Sequence, residues 1–274
     1  FYATEGEYTL NEDYFVEGTV NGDAVTVAGN AVVTITGGNY NGGQTPVGGA
    51  GNTAVFAYGN AVVNITGGNF TIGGLPEADP GQIDLIYAKE NAKIYISGGT
   101  FRGADDTVWL ANVKDADYKA GTANIVITGG TFVNWNPETD TDGVGKNYIA
   151  DGYTVKATTV GTETHYTVVE KTAVDTIDPI TVFVMPGDLY EDVIATVPTE
   201  ITSGEVEITN IVWPEVIGET WPPVGEAALN VEAEDFDYNE NDVTLAEDAV
   251  PSINFVTIPD TFELTVDGLE KDSP

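Results

Sequence analysis

The stretch Ala61-Val62-Val63-Asn64-Ile65-Thr66-Gly67-Gly68-Asn69-Phe70 decides how this chain folds. It is one of four near-copies. AVVTITGGNY occupies 31–40, AKIYISGGTF 92–101 and ANIVITGGTF 123–132. Their Gly-Gly pairs begin at Gly37, Gly67, Gly98 and Gly129, spaced by 30, 31 and 31 residues. A fixed period of this size marks a repeat architecture.

Within each copy the apolar residues alternate. Ala31, Val33 and Ile35 fall on one face, as do Ala61, Val63 and Ile65; Ala92, Ile94 and Ile96; and Ala123, Ile125 and Ile127. An aromatic follows each Gly-Gly by two positions: Tyr40, Phe70, Phe101 and Phe132. The other face is irregular, with Thr34, Asn64, Tyr95 and Val126 at one register. Period-two alternation with one regular face predicts a strand buried on one side. The pairs Gly37-Gly38, Gly67-Gly68, Gly98-Gly99 and Gly129-Gly130 are read as structural corners, where positive φ suits only glycine. Thr36, Thr66, Ser97 and Thr128 adjoin those corners and are expected to hydrogen-bond within the stack of turns.

Each repeat also holds an earlier strand-like piece, at 24–27, 54–58, 83–88 and 107–112. About 30 residues with two or three strands leave no room for a crossover helix and fit one coil of a parallel β-helix. The expectation is therefore an all-β chain. Residues 1–172 form a parallel β-helix, a solenoid of about four to five coils. Strands in residues 1–20 cap its start, and a hairpin at about 146–172 around Val160-Gly161-Thr162-Glu163 caps its end.

From 173 to 274 the Gly-Gly repeat is gone and the composition shifts. This segment holds 24 acidic residues against one lysine, Lys271, or −23 of a total net charge of −35. Strand-like pieces at 180–184, 205–212, 227–233, 253–258 and 262–266, separated by turn signals, predict a small β-sandwich.

The charge excludes nucleic acid as a partner and opposes an anionic membrane surface. No apolar run approaches the ~20 residues that cross a bilayer, so no membrane insertion is expected. The chain has no cysteine. Disulfides and thiol chemistry therefore play no part.

The repeat shape NAxVxIxGGxF resembles repeats of secreted and cell-surface β-helix proteins of bacteria, notably anaerobic Firmicutes. Tyr148-Ile-Ala-Asp-Gly-Tyr-Thr-Val with His165-Tyr-Thr-Val-Val looks like the ending of such repeat regions. Ile180 to Trp213 is similar to bacterial Ig-like surface modules. The resemblance implies an extracellular, cell-surface protein with an Ig-like second domain. It carries over no catalytic residues.

Two places hold candidate chemistry. Asp105 and Asp106, next to Arg102 and near Trp109, form the best cluster on the repeats for a sugar or a cation, with Asp115 and Asp117 one coil later. Solvated loop charges are the plainer reading, because the carboxylates do not recur at one register as the catalytic pairs of glycan hydrolases require. Asp235, Asp237, Asn239 and Asp242 place oxygen donors at alternate positions, as hard cations want, which makes Ca²⁺ the candidate cofactor. Against this, Glu240 stands where a calcium loop needs glycine, and a solvated acidic turn explains the residues as well. Asp140 to Asp142 is a weaker version of the same pattern. Trp135, Trp213 and Trp221 join Trp109 as aromatics able to stack on sugars or to pack. His165, the sole histidine, is expected to be an ordinary strand residue, since a catalytic triad needs partners for its imidazole.

The leading expectation is a non-enzymatic structural or adhesive surface protein. It assembles with copies of itself by strand exchange at the termini, or meets other surface proteins or glycans. The alternative is a polysaccharide-binding or polysaccharide-degrading protein.

Overall fold

The computed structural model describes residues 1–17, 22–46, 51–73, 83–105, 108–142, 145–215, 217 and 220–259. The chain is all-β, with 46% strand and 4% helix, and its principal sheets are parallel. It divides into two compact units, Phe1–Lys171 and Thr172–Pro274. No helix among the described residues is long and apolar enough to cross a membrane.

In the first unit each repeat lays equivalent strands against the next in parallel. Tyr2–Ala3, Val25–Val27, Val55–Ala57, Ile86–Ala88 and Asn112–Val113 form one five-stranded sheet in chain order. Glu7–Leu10, Val32–Ile35, Val62–Ile65, Lys93–Arg102 and Asn124–Val133 form the spine of a second. The register is that of the sequence repeat: Ile35 faces Ile65, Ile65 faces Ile96, and Ile96 faces Ile127. Residues 1–17 carry no Gly-Gly motif yet supply a strand to each sheet. The hairpin Tyr153–Val160/Glu163–Glu170 turns at Gly161-Thr162 and pairs antiparallel with the last repeat strand.

The regular face forms the core. Ala61, Val63, Ile65 and Phe70 are fully buried, as are Ala31, Val33, Ile35 and Tyr40. The aromatics that follow Gly-Gly stack in one column. Tyr14, Tyr40, Phe70, Phe101 and Phe132 have successive ring centroids 5.7, 5.0, 4.9 and 4.7 Å apart and interplanar angles of 14°, 12°, 8° and 12°. The spacing matches that of neighbouring strands, so parallel register aligns the rings without strain. Trp135, tilted by 45° on Phe132 at 5.6 Å, ends the column.

Polar ladders run beside it. Thr36, Thr66, Ser97 and Thr128 donate their hydroxyls to Leu10, Ile35, Ile65 and Ile96 carbonyls of the preceding repeat at 3.3–3.5 Å. Asn60 Nδ2 donates to Asn30 Oδ1 at 3.0 Å and Asn91 Nδ2 to Asn60 Oδ1 at 3.1 Å. Asn69 bonds Asn39 in the same way.

The two glycines of each pair do different work. The second has positive φ, 90–106° at Gly38, Gly68, Gly99 and Gly130. The first does not. It is glycine because a Cβ at Gly67, Gly98 or Gly129 would lie 2.3–2.6 Å from the carbonyl oxygen of Thr36, Thr66 or Ser97 in the repeat below. Gly37 begins the series and would meet nothing within 4 Å.

Among the described residues two short helices interrupt the strands, and the repeat pattern does not announce them. Asp115–Lys119 falls where a charged loop is expected, with acidic residues in its first turn and Lys119 in its last, as the helix dipole favours. Tyr190–Ile194 lies in the second unit.

Among its described residues that unit holds three small sheets. Ile180–Val184 pairs parallel with Ser252–Thr257, which pairs antiparallel with Leu229–Glu232. Ile201–Ser203, Val206–Val212 and Asp235–Tyr238 form an antiparallel set. Thr172–Val174 pairs parallel with Val243–Leu245. Val184, Ile208, Ile253 and Phe255 are fully buried at its core. The strand expected at 262–266 lies outside the described residues.

The first glycines give a direct test. Gly129→Ala should destabilise the chain by about 2 kcal/mol or more through overpacking against backbone. Gly37→Ala, at the same motif position, should stay within about 0.5 kcal/mol of wild type. Urea denaturation of the two variants measures the contrast.

Candidate functional site

Of the sequence candidates, Asp105 and Trp109 come together. They line a cleft of about 600 Å³ with Arg102, Trp135, Asp140 and Glu163. Asp106 lies outside the described residues. The elements that meet here explain the cleft. Arg102 ends the strand Lys93–Arg102, and Trp109 ends Val108–Trp109. Trp135 follows the last repeat strand, and Glu163 begins the hairpin's return strand. Asn134, held at φ +56°, accepts from Thr164 N–H at 2.8 Å and donates its own N–H to Thr164 O at 2.8 Å, which clamps the hairpin tip against the last repeat.

Arg102 donates through both terminal nitrogens to the two Glu163 oxygens, Nη2 to Oε2 at 2.9 Å. This bidentate pair raises the Arg102 pKa and lowers that of Glu163, so both stay ionised. Its members are roughly a third or more exposed, so its worth is positional rather than energetic. His165 Nε2 lies 3.4 Å from Glu163 Oε2, which makes the histidine a partner of this pair on the hairpin strand. Asp140 Oδ2 accepts from Asn136 N–H at 2.7 Å and tightens the turn at one wall. The Trp135 indole N–H is buried with no hydrogen-bond partner among the described residues. A buried, unpaired donor costs about 1–3 kcal/mol, which a ligand oxygen or a water would recover. Two indoles, an anchored cation and carboxylate acceptors suit a hydroxyl-rich ligand better than an apolar one.

Asp115 and Asp117 do not join this cleft. Asp117 Oδ2 accepts from Glu90 N–H at 2.6 Å. Asp115 turns to Lys146, whose ammonium is wholly buried. Lys146 Nζ also donates to Asn112 Oδ1 at 2.7 Å, to Val113 O and to Asp142 Oδ2. Asp142, read from sequence as part of a weak cation motif, thus meets the cation carried by Lys146. Asn112 Nδ2 donates in turn to Asp84 Oδ1 at 2.9 Å. Burial raises the Asp84 pKa to about 6, outweighing the Asn112 hydrogen bond and the Lys146 charge, which both lower it. Tyr148, buried at the end of the stack, accepts from Val113 N–H at 3.0 Å.

The proposed cation ligands of the second unit are spread over a strand and a turn. Asp235 and Asp237 lie exposed on Asp235–Tyr238, while Asn239 and Asp242 lie beyond it. Asp237 accepts from Asn210 Nδ2 at 2.8 Å, and Asn239 Nδ2 donates to Asp242 Oδ2 at 2.9 Å. Among the described residues no group of three or more His, Cys, Asp or Glu is placed to hold a metal ion. Trp213 packs in the core with Nε1–H on Pro198 O at 3.0 Å. Trp221 is half-buried against Phe255, with Nε1–H on Asp188 O at 2.8 Å.

Sequence reasoning missed Glu163 because its partner Arg102 is 61 residues away, and the buried Lys146 because, beside Asp142 four residues before it, its acceptors Asn112 and Val113 are 33–34 residues away. The 30-residue register does reach Glu163's neighbourhood. The Arg102 position aligns with Val133, and the hairpin pairs His165 with Val133.

No protein-family model, curated protein or solved structure matches this chain.

The buried network yields two expectations. Lys146→Ala strands Asp142, Asn112 and Val113 acceptors and should cost roughly 3–5 kcal/mol. Asp84, with its folded pKa above its unfolded value, favours the native state most below pH ~4 and loses that contribution as pH rises towards 6. Asp84→Asn should therefore gain stability relative to wild type across that window, by up to about 3 kcal/mol at pH 7. Urea midpoints of both proteins at pH 4, 5, 6 and 7 measure it.

Proposed function

We propose that this chain is a non-enzymatic, extracellular surface protein of structural and adhesive role. In this reading the first unit is a parallel β-helix and the second an Ig-like module. The observation that carries it is where the regularity lies. Inward residues, corner glycines, the aromatic column and the Thr and Asn ladders repeat from one coil to the next, while the outward strand row of Thr34, Asn64, Tyr95 and Val126 does not. Such a chain builds a stiff platform and varies only what it displays. The heavy acidic charge suits a secreted protein in a cation-containing medium. In the second unit Ile180–Val184 and Val206–Val212 lie in separate sheets that share one buried apolar core, which supports the sandwich-like reading.

Self-assembly is part of this proposal. Among the described residues Tyr2–Ala3 and Glu7–Leu10 end their sheets, and Tyr2 and Tyr8 on them and Phe15 on Tyr14–Phe15 are exposed. Exposed edge strands accept further strands. Light scattering and electron microscopy across concentration should show oligomers or filaments. A strictly monomeric protein up to high concentration would remove the assembly element.

The cleft at Trp109 favours a second reading, polysaccharide binding, which supplies the adhesive role with a ligand class. It rests on the two indoles, Trp109 and Trp135, that line the cleft with the Arg102–Glu163 pair. Trp109→Ala should lower affinity for a bound oligosaccharide about tenfold without loss of fold, as stacking on one ring implies. Isothermal titration of wild type and variant checks it, and equal affinity would dismiss the cleft.

A further inference from the structure

A second groove lies on the first unit, away from the Arg102–Glu163 pair. It has a volume of about 610 Å³ and is lined by Asp23, Thr53, Phe56, Asp84, Tyr87 and Lys89. The repeat register builds it. Val25, Val55 and Ile86 align on adjacent strands, and so do Thr26, Phe56 and Tyr87 one position later. Alternation turns Val25, Val55 and Ile86 inward and Thr26, Phe56 and Tyr87 outward. Phe56 and Tyr87 then stack at 5.8 Å and 21°, both half-buried, and Tyr58 adds a third ring 5.1 Å from Phe56. Lys89 Nζ sits 5.0 Å from the Phe56 centroid and 5.2 Å from that of Tyr58, fixed over the edge of this platform.

Carboxylates stand beside the rings. Asp23 is held rigidly: Oδ1 accepts from Thr53 N–H at 3.0 Å and Thr53 Oγ1 at 2.9 Å, and Oδ2 from Thr26 Oγ1 at 3.1 Å. Asp84 accepts from Asn112 through Oδ1 at 2.9 Å and lines the same groove. Asp84 also faces Trp109 across the paired strands Ile83–Asp84 and Val108–Trp109. Asp84 lines this groove and Trp109 lines the cleft, so the two depressions meet at one strand pair.

We infer that Phe56, Tyr87, Asp23 and Asp84 form a binding track for an extended neutral polysaccharide that crosses the repeats and runs on to Trp109. Phe56 and Tyr87 stack on each other, and their exposed ring surfaces offer apolar contact to the apolar faces of pyranose units. The carboxylates accept from equatorial hydroxyls, and Lys89 donates to a ring or hydroxyl oxygen. Neighbouring strands are ~4.8 Å apart, close to the advance per residue of an extended pyranose chain, so successive sugars meet successive repeats. The ligand is neutral because a net charge of −35 repels a polyanion. The inference rests on the polysaccharide reading of the Trp109 cleft and extends it to a longer ligand.

The test is isothermal titration of the full chain with cello-, xylo-, manno- and malto-hexaose, with polygalacturonate as the acidic control. At least one neutral hexaose should bind and polygalacturonate should not. Phe56→Leu and Tyr87→Leu keep apolar bulk but remove the aromatic ring surface that lines the groove. Each should weaken binding roughly tenfold with far-ultraviolet dichroism unchanged. Because the track spans several repeats, the trisaccharide should bind at least tenfold more weakly than the hexaose. If Trp109→Ala abolishes binding while both leucine variants bind like wild type, the track is overturned and the cleft reading stands. Binding of none of the hexaoses overturns both, and tight binding of polygalacturonate overturns the neutral-ligand assignment.

Discussion

The column of rings from Tyr14 through Tyr40, Phe70 and Phe101 to Phe132 is the contact on which the first unit depends. Rings within 5–6 Å and nearly parallel require strands in parallel register at every step. That register needs each chain to turn close above the one before it. The turn needs two glycines for two reasons, a left-handed φ at the second and the absence of a Cβ at the first. The hydroxyl ladder at Thr36, Thr66, Ser97 and Thr128 then satisfies its donors on carbonyls of the repeat below. Glycine corner, aromatic column and hydroxyl ladder are one constraint, and none fits without the others.

The ends of such a stack need different chemistry. After Phe132 the column closes on Trp135, and the hairpin 153–170 adds antiparallel strands to the parallel sheet. Beside this closure lies a buried polar cluster in which Lys146 satisfies Asp142, Asn112 and the Val113 carbonyl. A buried ammonium surrounded by acceptors contributes less to net stability than its bonds suggest, and it ties the residues around Asp142 to Asn112 and Val113. That loop runs past Asp140, a wall of the cleft, so the closure of the stack and the shape of the cleft are set together.

Much of this architecture is legible in the residues alone. The inward Ala-x-Val/Ile-x-Ile pattern, the spacing of the Gly-Gly pairs and the following aromatic give the buried face, the strand positions and the parallel sheets. The hairpin is legible from Gly161 between two alternating runs. The site is less so. Asp105 and Trp109 are close in sequence and stand out together, but Glu163 and Asp140 reach the cleft only through the hairpin and the loop after Trp135. Phe56, Tyr87 and Asp84 share a register that the repeat makes readable, yet an outward aromatic in one repeat looks incidental until its neighbour is placed beside it. Lys146 was legible only as a charge, because burial is a property of the loop around it. In the second unit alternation marks Ile180–Val184 and Ser252–Thr257, while Asp235–Tyr238 is hidden by acidic residues that suit a loop as well as an exposed strand.

The central claim is that the stacked, fully buried aromatics hold the repeats in register. Equilibrium urea denaturation of Phe101→Ala, followed by tryptophan fluorescence and far-ultraviolet dichroism, tests it most directly, with exposed Phe183→Ala as the control. The account predicts a loss of about 3–5 kcal/mol for Phe101→Ala, as for other large-to-small changes in a packed core, and no measurable loss for the control. A Phe101→Ala protein as stable as wild type, within about 0.5 kcal/mol, would contradict it.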